Sequence, residues 1–283
     1  MTTILVTGSN GQLGNEIRVV APAFPQFRFL FTDVQELDIT DSEAVTRFFT
    51  TESIDLIINC AAYTAVDRAE DEEELCYRIN CHAVEVLGKA AARFNAAMIH
   101  VSTDYVFNGK SYIPYTEDVE VAPASVYGKS KLAGELALMQ VNPQAVIVRT
   151  SWLYSSFGNN FVKTMLKLGR EREELKVVFD QVGTPTYAAD LAVALLTIAQ
   201  QGATQAGIYH FSNEGVCSWY DFTISIHKMA GVNCRVLPIE SHEYPAKTPR
   251  PHYSVLNKAK IKAVYGIGIP HWEEGLKRCL SCL

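Results

Sequence analysis

A tyrosine and a lysine four residues apart are the first residues of this chain whose types and spacing suggest chemistry. They are Tyr127 and Lys131, within the run S-V-Y-G-K-S-K-L-A-G-E that begins at Ser125. In a helix this spacing places both side chains on one face, one turn apart. A phenol normally keeps its proton until about pH 10, and a neighbouring ammonium lowers that pKa. The pair is therefore predicted to exchange a proton with a carbonyl or an alcohol; the alternative is that Tyr127 packs and Lys131 faces solvent.

A glycine-rich turn near the start of the chain suggests a nucleotide ligand that would act together with the Tyr127/Lys131 pair. The apolar run from Thr3 to Thr7 predicts a buried parallel strand, and a helical pattern runs from Asn15 to Val20. Between them lies G-S-N-G-Q-L-G, with the spacing G-x-x-G-x-x-G. Glycines let the backbone approach a pyrophosphate closely, and a helix N-terminus offers it unpaired N–H groups. The order strand, glycine turn, helix predicts a dinucleotide site.

An acidic residue follows the second predicted strand, Phe27 to Thr32. Asp33 lies about 20 residues beyond the glycine turn, where a Rossmann fold hydrogen-bonds the adenosine ribose. A carboxylate there suits a 2′-hydroxyl and disfavours a 2′-phosphate, although it could also be a simple turn residue. Next, Asp38 beside Ile39 predicts an adenine pocket, or else this segment caps the helix that runs through Phe49.

Further strands bring other side chains to the same crevice. The third strand, Ile54 to Asn59, is followed by small residues that leave room for a ligand. Thr103 follows the fourth strand, Ala97 to Val101, and its hydroxyl could donate a hydrogen bond to a substrate oxygen. Strands that alternate with helices predict an α/β fold with a doubly wound, Rossmann-like parallel sheet. We expect this domain to span residues 1–150, and a smaller substrate-binding region to span 151–283, with the helix at 187–201 returning to the first domain.

Composition excludes several classes of protein. The 283 residues are 48% hydrophobic and carry a net charge of −6, with no basic stripe that would suggest nucleic acid. No leader and no run of about 18 apolar residues is present, which favours a cytoplasmic protein without membrane partners. Seven cysteines, an odd number, favour reduced thiols. The terminal pair Cys279 and Cys282 is interpreted as part of a frayed helical tail, and residues 245–257 as an exposed proline-rich loop.

Taken together, these motifs resemble the extended short-chain dehydrogenase/reductase superfamily, and most closely its dTDP-4-dehydrorhamnose reductase family. The runs S-T-D-Y-V-F from Ser102 and R-T-S-W from Arg149 carry the closer resemblance. It implies an oxidoreductase that uses NADPH or NADH to reduce C4 of a dTDP-linked 4-keto-6-deoxy sugar in nucleotide-sugar and polysaccharide biosynthesis. Tyr127 would deliver a proton to the carbonyl oxygen. Lys131 would hold the nicotinamide ribose and lower the pKa of that tyrosine, while Thr103 would orient the carbonyl.

The same resemblance implies two sets of binding residues. The cofactor would contact Gly8, Asn10, Gly11, Gln12, Leu13, Gly14, Asp33, Asp38, Ile39, Ala61, Ala62, Tyr63, Thr64, Tyr127 and Lys131. The dTDP-sugar would contact Thr103, Asp104, Trp152 and Arg250, with the Arg250 guanidinium binding the pyrophosphate unless it is a surface arginine without a ligand.

Several alternatives stay open. Some family members bind Mg²⁺ through glutamates at a homodimer interface; Glu16 matches one position, but Asp190 matches the second poorly, so the sequence does not support a metal. Close relatives serve as non-catalytic, cofactor-binding regulatory subunits of methionine adenosyltransferase. Sugar-nucleotide epimerases share the fold. A 4,6-dehydratase is disfavoured because Asp104-Tyr105, rather than Asp-Glu, follows Thr103.

Overall fold

Six parallel strands form the central sheet of the structure, a computed structural model that describes residues 1–283. The strand order is β2-β1-β3-β4-β5-β10. These strands are β1 Thr2–Thr7, β2 Phe27–Thr32, β3 Leu56–Asn59, β4 Ala97–Thr103, β5 Val146–Thr150 and β10 Gly207–His210. Three two-stranded pairs complete the strands: β6 Leu153–Tyr154 with β9 Thr186–Tyr187, β7 Glu174–Val178 with β12 Arg235–Ile239, and β8 Val182–Gly183 with β11 Cys217–Ser218.

Helices cover both faces of this sheet. In chain order they are α1 Gln12–Val20, α2 Ser42–Thr51, α3 Val66–Ala69, α4 Glu73–Tyr77, α5 Ala83–Phe94, α6 Val126–Val141, α7 Phe161–Glu171, α8 Ala188–Gln200, α9 Trp219–Ala230, α10 Ala259–Tyr265 and α11 Trp272–Leu280. Alternate residues of a strand point to opposite faces. Ile4 and Val6 therefore pack in a core with α1 and α8, while Leu5 packs in a second core with α2, α5 and α6. The predicted fold class is confirmed.

The strand order creates a crevice above β1. Its neighbours β2 and β3 lie on opposite sides of it: the chain passes from β1 to β2 on one side and then crosses to β3 on the other, so the strand order reverses at β1. In parallel sheets, ligands bind outside the carboxyl ends of the strands at such a point. The glycine turn follows β1, and Thr103 ends β4. Sheet topology thus brings both segments to one edge.

The second half of the chain builds its own core and also returns to the first sheet. A cluster of 14 buried residues joins α7, α9 and α11 to β7 and β12. In contrast, α8 packs on α1, and β10 pairs with β5. The domain boundary at residue 150 stays a prediction, and two elements beyond it pack with the first domain: β10 in its sheet and α8 against its first helix.

Two predictions about the C-terminal half were wrong. Residues 254–256 are buried rather than in an exposed loop, since their backbone bonds to the segments around Tyr115 and Val182. Cys279 is fully buried in α11, because the apolar face of this helix joins the third core; Cys282 alone of that pair is exposed. No helix is long and apolar enough to cross a bilayer.

Candidate active site

A cavity of about 880 Å³ lies at the carboxyl edge of the sheet, between the glycine turn and the C-terminal region. Most of the predicted site residues line it: Gly8, Gly11, Gln12, Leu13, Ala62, Thr64, Thr103, Asp104, Tyr127, Lys131, Trp152 and Arg250. The structure does not place the other predicted residues on its wall: Asn10, Gly14, Asp33, Asp38, Ile39, Ala61 and Tyr63.

Lys131 reaches this cavity from α6, which begins where the Ser125 hydroxyl accepts a hydrogen bond from the Gly128 amide. The lysine is 2% exposed. Its Nζ donates to the carbonyl oxygen of Val101 at 2.7 Å and lies 3.3 Å from Nε2 of His100. Burial lowers the pKa of Lys131 to about 8. The amine can therefore both lose and regain a proton near neutral pH.

Tyr127 is buried on the same face of α6, with its ring edge-on to Tyr105 at 5.4 Å. Burial raises the pKa of Tyr127, while the Thr103 hydroxyl acts in the opposite direction. The predicted lowering of this pKa by Lys131 was wrong, because removing the phenolate from water raises the pKa and the neighbouring Asp104, Tyr105 and Cys76 raise it further. Tyr127 is thus held in its protonated form, which is the form that a proton donor needs.

Thr103, the last residue of β4, and Asp104, which follows it, are joined by a hydrogen bond between their side chains. The Thr103 hydroxyl donates to Oδ1 of Asp104 at 3.0 Å and accepts a hydrogen bond from the Tyr105 amide. Oδ2 of Asp104 is buried and makes no hydrogen bond of good geometry, although the Ser254 hydroxyl lies beside this carboxyl and the residue lines the cavity. Burial raises the pKa of Asp104 to about 6. An unpaired carboxylate oxygen of this kind is an acceptor for a ligand hydroxyl.

Asp104 gives a prediction about stability. Its folded-state pKa of about 6 exceeds the ordinary value of 3.8, so the folded chain holds this proton more tightly, and stability falls as pH rises from about 4 to 7. Asp104→Asn keeps the acceptor for Thr103 and carries no charge. We expect the variant to be more stable than the wild type by about 3 kcal/mol at pH 7, and by little at pH 4. Thermal melts at both pH values measure this difference, and an advantage that did not grow with pH would contradict it.

The glycine turn is shaped to hold a phosphate. A Cβ at Gly8 would lie 2.6 Å from Cα of Ala61, and one at Gly14 would lie 2.6 Å from the carbonyl oxygen of Gly8. Gly8 also has φ of +63°, which favours glycine. No side chain caps the N-terminus of α1, whose N-cap is Gly11. These free amide groups and the helix dipole fit the pyrophosphate of a dinucleotide.

The predicted adenosine contacts lie outside the cavity. Asp33 accepts hydrogen bonds from the amides of Asn10 and Val34, so it ties the glycine turn to the end of β2. The Asp38 carboxylate accepts from Thr40 and borders a separate, smaller pocket. Ile39 is buried in the second core. The adenine pocket at Asp38 and Ile39 therefore stays a prediction, with Asp38 beside the smaller pocket.

Tyr63 turns its hydroxyl away from the cavity and donates it to Glu72 at 2.6 Å. Its backbone N–H and carbonyl both bond to the side chain of Asn80, which is fully buried. This amide holds the segment between Ala62 and Thr64 in place. Sequence reasoning missed Asn80, because a buried asparagine on a helix carries no local signal of its partner.

Trp152 forms an aromatic wall in the C-terminal half of the cavity. Its ring stacks on Trp219 with centroids 3.5 Å apart and planes 8° apart. A Cβ at Gly183 would lie 2.6 Å from the Trp152 ring, so only glycine fits behind it. Sequence reasoning missed Trp219. The signal was available, since Ser218 and Asp221 form a capping box that places Trp219 at the start of α9.

Arg250 reaches the cavity wall but is not free there. Its guanidinium donates to Oδ2 of Asp67 at 2.5 Å, and the Thr248 amide donates to the other oxygen of that carboxylate. Arg250 lies beside Tyr105, whose ring packs edge-on against Tyr127. A pyrophosphate would have to share this guanidinium with Asp67.

Comparison with known proteins identifies the family. The family model described as the RmlD substrate binding domain matches residues 1–283. The chain belongs to this family. It is 41% identical over 282 residues to the spore coat polysaccharide biosynthesis protein SpsK of Bacillus subtilis, covering 99% of this chain and 98% of that protein. It is 42% identical to a dTDP-4-dehydrorhamnose reductase of Aggregatibacter actinomycetemcomitans, covering 98% of each. The structure of a dTDP-4-dehydrorhamnose reductase from Bacillus anthracis in complex with NADP superimposes with a TM-score of 0.95, at 40% identity and 99% coverage of both chains.

The magnesium site found in some members of the RmlD family does not fit this chain. Glu16 is 2% exposed and accepts a hydrogen bond from the Ser155 hydroxyl at 2.6 Å. Both oxygens of Asp190 lie 2.7 Å from one guanidinium nitrogen of Arg278, and Asn213 donates to Oδ2. The positive charge beside Asp190 is therefore an arginine of the same chain. No group of three metal-ligating side chains occurs in the structure.

Proposed function

We propose that this protein reduces dTDP-4-dehydro-6-deoxy-L-mannose to dTDP-L-rhamnose with NADPH or NADH, in the cytoplasm. The observation that carries the proposal is the convergence of Thr103, Tyr127 and Lys131 in one cavity beside an uncapped helix N-terminus. Relatives that cover nearly all of this chain carry the same activity in their names, and one of them binds NADP. A relative named for spore coat polysaccharide biosynthesis supports a role in polysaccharide synthesis.

The residues present fit a nicotinamide dinucleotide. The amides after Gly11 would hold its pyrophosphate, the small residues Ala62 and Thr64 leave room for the nicotinamide half, and Lys131 would bind its ribose. When bound, the reduced cofactor supplies a hydride to the sugar carbonyl carbon. The chain's own residues handle the proton and the position of the carbonyl group.

Tyr127 donates the proton. Its raised pKa keeps the phenol protonated until the substrate oxygen becomes strongly basic. The Thr103 hydroxyl stands next to that oxygen and stabilises the charge that develops there. Asp104 accepts hydrogen bonds from the sugar, and the stacked Trp152 and Trp219 rings close the far wall against water. Buried surroundings strengthen each of these interactions, because the local dielectric is low.

The test of this function is direct. Purified protein, the 4-keto-rhamnose nucleotide and either NADPH or NADH should lose the absorbance of the reduced nicotinamide, and product analysis should show a dTDP-6-deoxyhexose. The absence of oxidation with both cofactors would overturn the proposal. Cofactor binding without turnover would then support the regulatory-subunit alternative.

Asp33 gives a prediction about cofactor choice. Its carboxylate must accept the Asn10 and Val34 amides, so alanine would damage the turn as well as the charge. Asp33→Asn keeps an acceptor oxygen and removes the negative charge that repels a 2′-phosphate. We expect kcat/KM with NADPH to rise about tenfold relative to NADH, as the loss of one repulsive contact of about 1.4 kcal/mol would give. Steady-state kinetics with both cofactors measure this ratio. An unchanged ratio would remove Asp33 from cofactor selection and leave it a structural residue.

A further inference from the structure

A chain of buried hydrogen bonds runs behind the cavity, from the sheet to the lysine of α6. Thr7, Asn59 and His100 are register partners on the adjacent strands β1, β3 and β4, so their side chains share one face of the sheet. Thr7 Oγ1 lies 2.7 Å from Asn59 Oδ1, Asn59 Nδ2 lies 3.0 Å from His100 Nδ1, and His100 Nε2 lies 3.3 Å from Lys131 Nζ. All four side chains are almost completely buried.

One backbone group fixes which atoms donate and which accept in this series of hydrogen bonds. The Ala61 N–H, which can only donate, points at Oδ1 of Asn59 at 3.1 Å. That atom is therefore the amide oxygen, and the amide nitrogen faces His100. Nδ1 of His100 accepts this hydrogen bond. Because burial keeps the pKa of His100 well below its ordinary value, the ring is neutral, and its proton lies on Nε2.

This tautomer presents a donor to Lys131. An ammonium group has three N–H donors and no acceptor, whereas a neutral amine has one lone pair. Nζ already donates to the carbonyl oxygen of Val101. The remaining contact with Nε2–H is favourable only to the neutral amine. The sheet therefore stabilises Lys131 after it has lost a proton.

We propose that His100 is a positioning residue for Lys131. Asn59 holds the His100 ring as the Nε2–H tautomer, and this N–H stabilises the neutral amine that forms when Lys131 returns a proton to Tyr127. This inference rests on the function proposed above. Tyr127 gives its proton to the substrate oxygen and becomes a phenolate. A Lys131 N–H bond then breaks, water in the cavity that both residues line carries the proton to the phenolate, and the Tyr127 O–H bond forms again, leaving both groups neutral. Lys131 regains its proton from water when the product leaves the cavity.

The other ionisable groups that face Lys131 would stabilise its charged form, or are already held in an ion pair. Cys60, Cys76 and Glu135 would each favour the ammonium if charged, but burial raises the pKa of Cys60 to about 12 and also raises that of Cys76. Glu135 is bound by Arg149. Of the ionisable groups around Lys131, His100 is therefore the one that favours the neutral amine, because it presents an N–H donor to the amine nitrogen.

The experiment has two readouts, and the first does not require turnover. Two-bond ¹⁵N–¹H correlation spectra of the folded wild type, with the His100 signal assigned from His100→Leu, distinguish the two neutral tautomers. We expect Nε2–H, and an Nδ1–H ring would overturn the proposal whatever the substrate is.

The second readout is the pH profile of kcat/KM, which falls as pH rises through the pKa of Lys131 because the neutral amine has no proton to give. Asn59→Asp places an acceptor opposite Nδ1 and reverses the tautomer, and His100→Leu removes the donor. Each should move the falling limb from about pH 8 in the wild type upward by about one pH unit, a tenfold change in proton affinity. Thr7→Val is the matched control; it leaves the Ala61 bond in place, so the limb should not move.

A purely structural role predicts a different result. His100→Leu and Asn59→Asp would then melt at lower temperature, or lose kcat equally at all pH values, with the falling limb in its wild-type position. That outcome would overturn the proposal while the wild-type assay still supported the reductase function.

Discussion

Tyr127→Phe should lower kcat by about 1,000-fold while cofactor affinity changes by less than about twofold, because one positioned general acid typically contributes 10²–10⁴ to the rate. The substitution removes a single hydroxyl. The ring keeps its edge-on packing against Tyr105 and its place in the small cluster with Ala69 and Cys76. Single-turnover measurements with saturating NADPH, together with fluorescence titration of the cofactor, separate the chemical step from binding.

The control for this variant is Tyr265→Phe, which removes a hydroxyl that donates to the Gln205 carbonyl oxygen, away from the cavity. It should keep kcat within about twofold of the wild type, since general acid catalysis requires a group within hydrogen-bond reach of the reacting atom. Residual activity of Tyr127→Phe above about one-tenth of the wild type would show that another group donates the proton. Asp104, whose pKa is raised to about 6, would then be the first candidate.

The largest expected effect on stability lies in the ion pair between α6 and β5. Arg149 and Glu135 are 2% and 1% exposed, and the guanidinium donates three hydrogen bonds to the carboxylate, from Nε at 2.9 and 3.2 Å and from Nη2 at 2.6 Å. Arg149 also lies over the ring of Phe107 at 5.1 Å. Removing one partner leaves an uncompensated charge in the interior, which costs about 3–5 kcal/mol.

Glu135→Leu and Arg149→Met should therefore each lower the melting temperature by about 10 °C, given roughly 2–4 °C per kcal/mol in a protein of this size. The double variant Glu135→Leu/Arg149→Met removes both charges, and we expect it to be more stable than either single variant. Urea unfolding of the four proteins provides the double-mutant cycle. Single variants that lost less than about 1 kcal/mol would show that water already reaches this pair.

The features that could be predicted from the sequence are those encoded in neighbouring residues. The apolar run before Gly8 and the glycine spacing were enough to place a strand, a turn and a helix, since strand burial and tight turns depend on local residue types. The four-residue step from Tyr127 to Lys131 was enough to place both on one face of α6, because helical periodicity is local. Both pointed to the cavity that the structure contains.

Other features depended on contacts between distant segments. The Arg250 guanidinium meets Asp67, which lies 183 residues earlier, so no local pattern showed that this cation is already paired. The stack of Trp152 on Trp219 likewise joins the segment after β5 to the start of α9. The direction of the Tyr127 pKa was mispredicted for the same reason, because spacing reports a neighbouring charge but not the loss of water around the phenol.

By itself, then, the sequence determined the fold class, the glycine turn proposed to bind phosphate and the Tyr127/Lys131 pair proposed for proton transfer, because each follows from residues close together along the chain. Only the tertiary structure decided the protonation behaviour of that pair. It buries Tyr127 and brings His100, from a strand 31 residues before Lys131, against the lysine amine. The physical reason is that a pKa depends on the solvent and partners around a group, and these exist only after the sheet and α6 have packed.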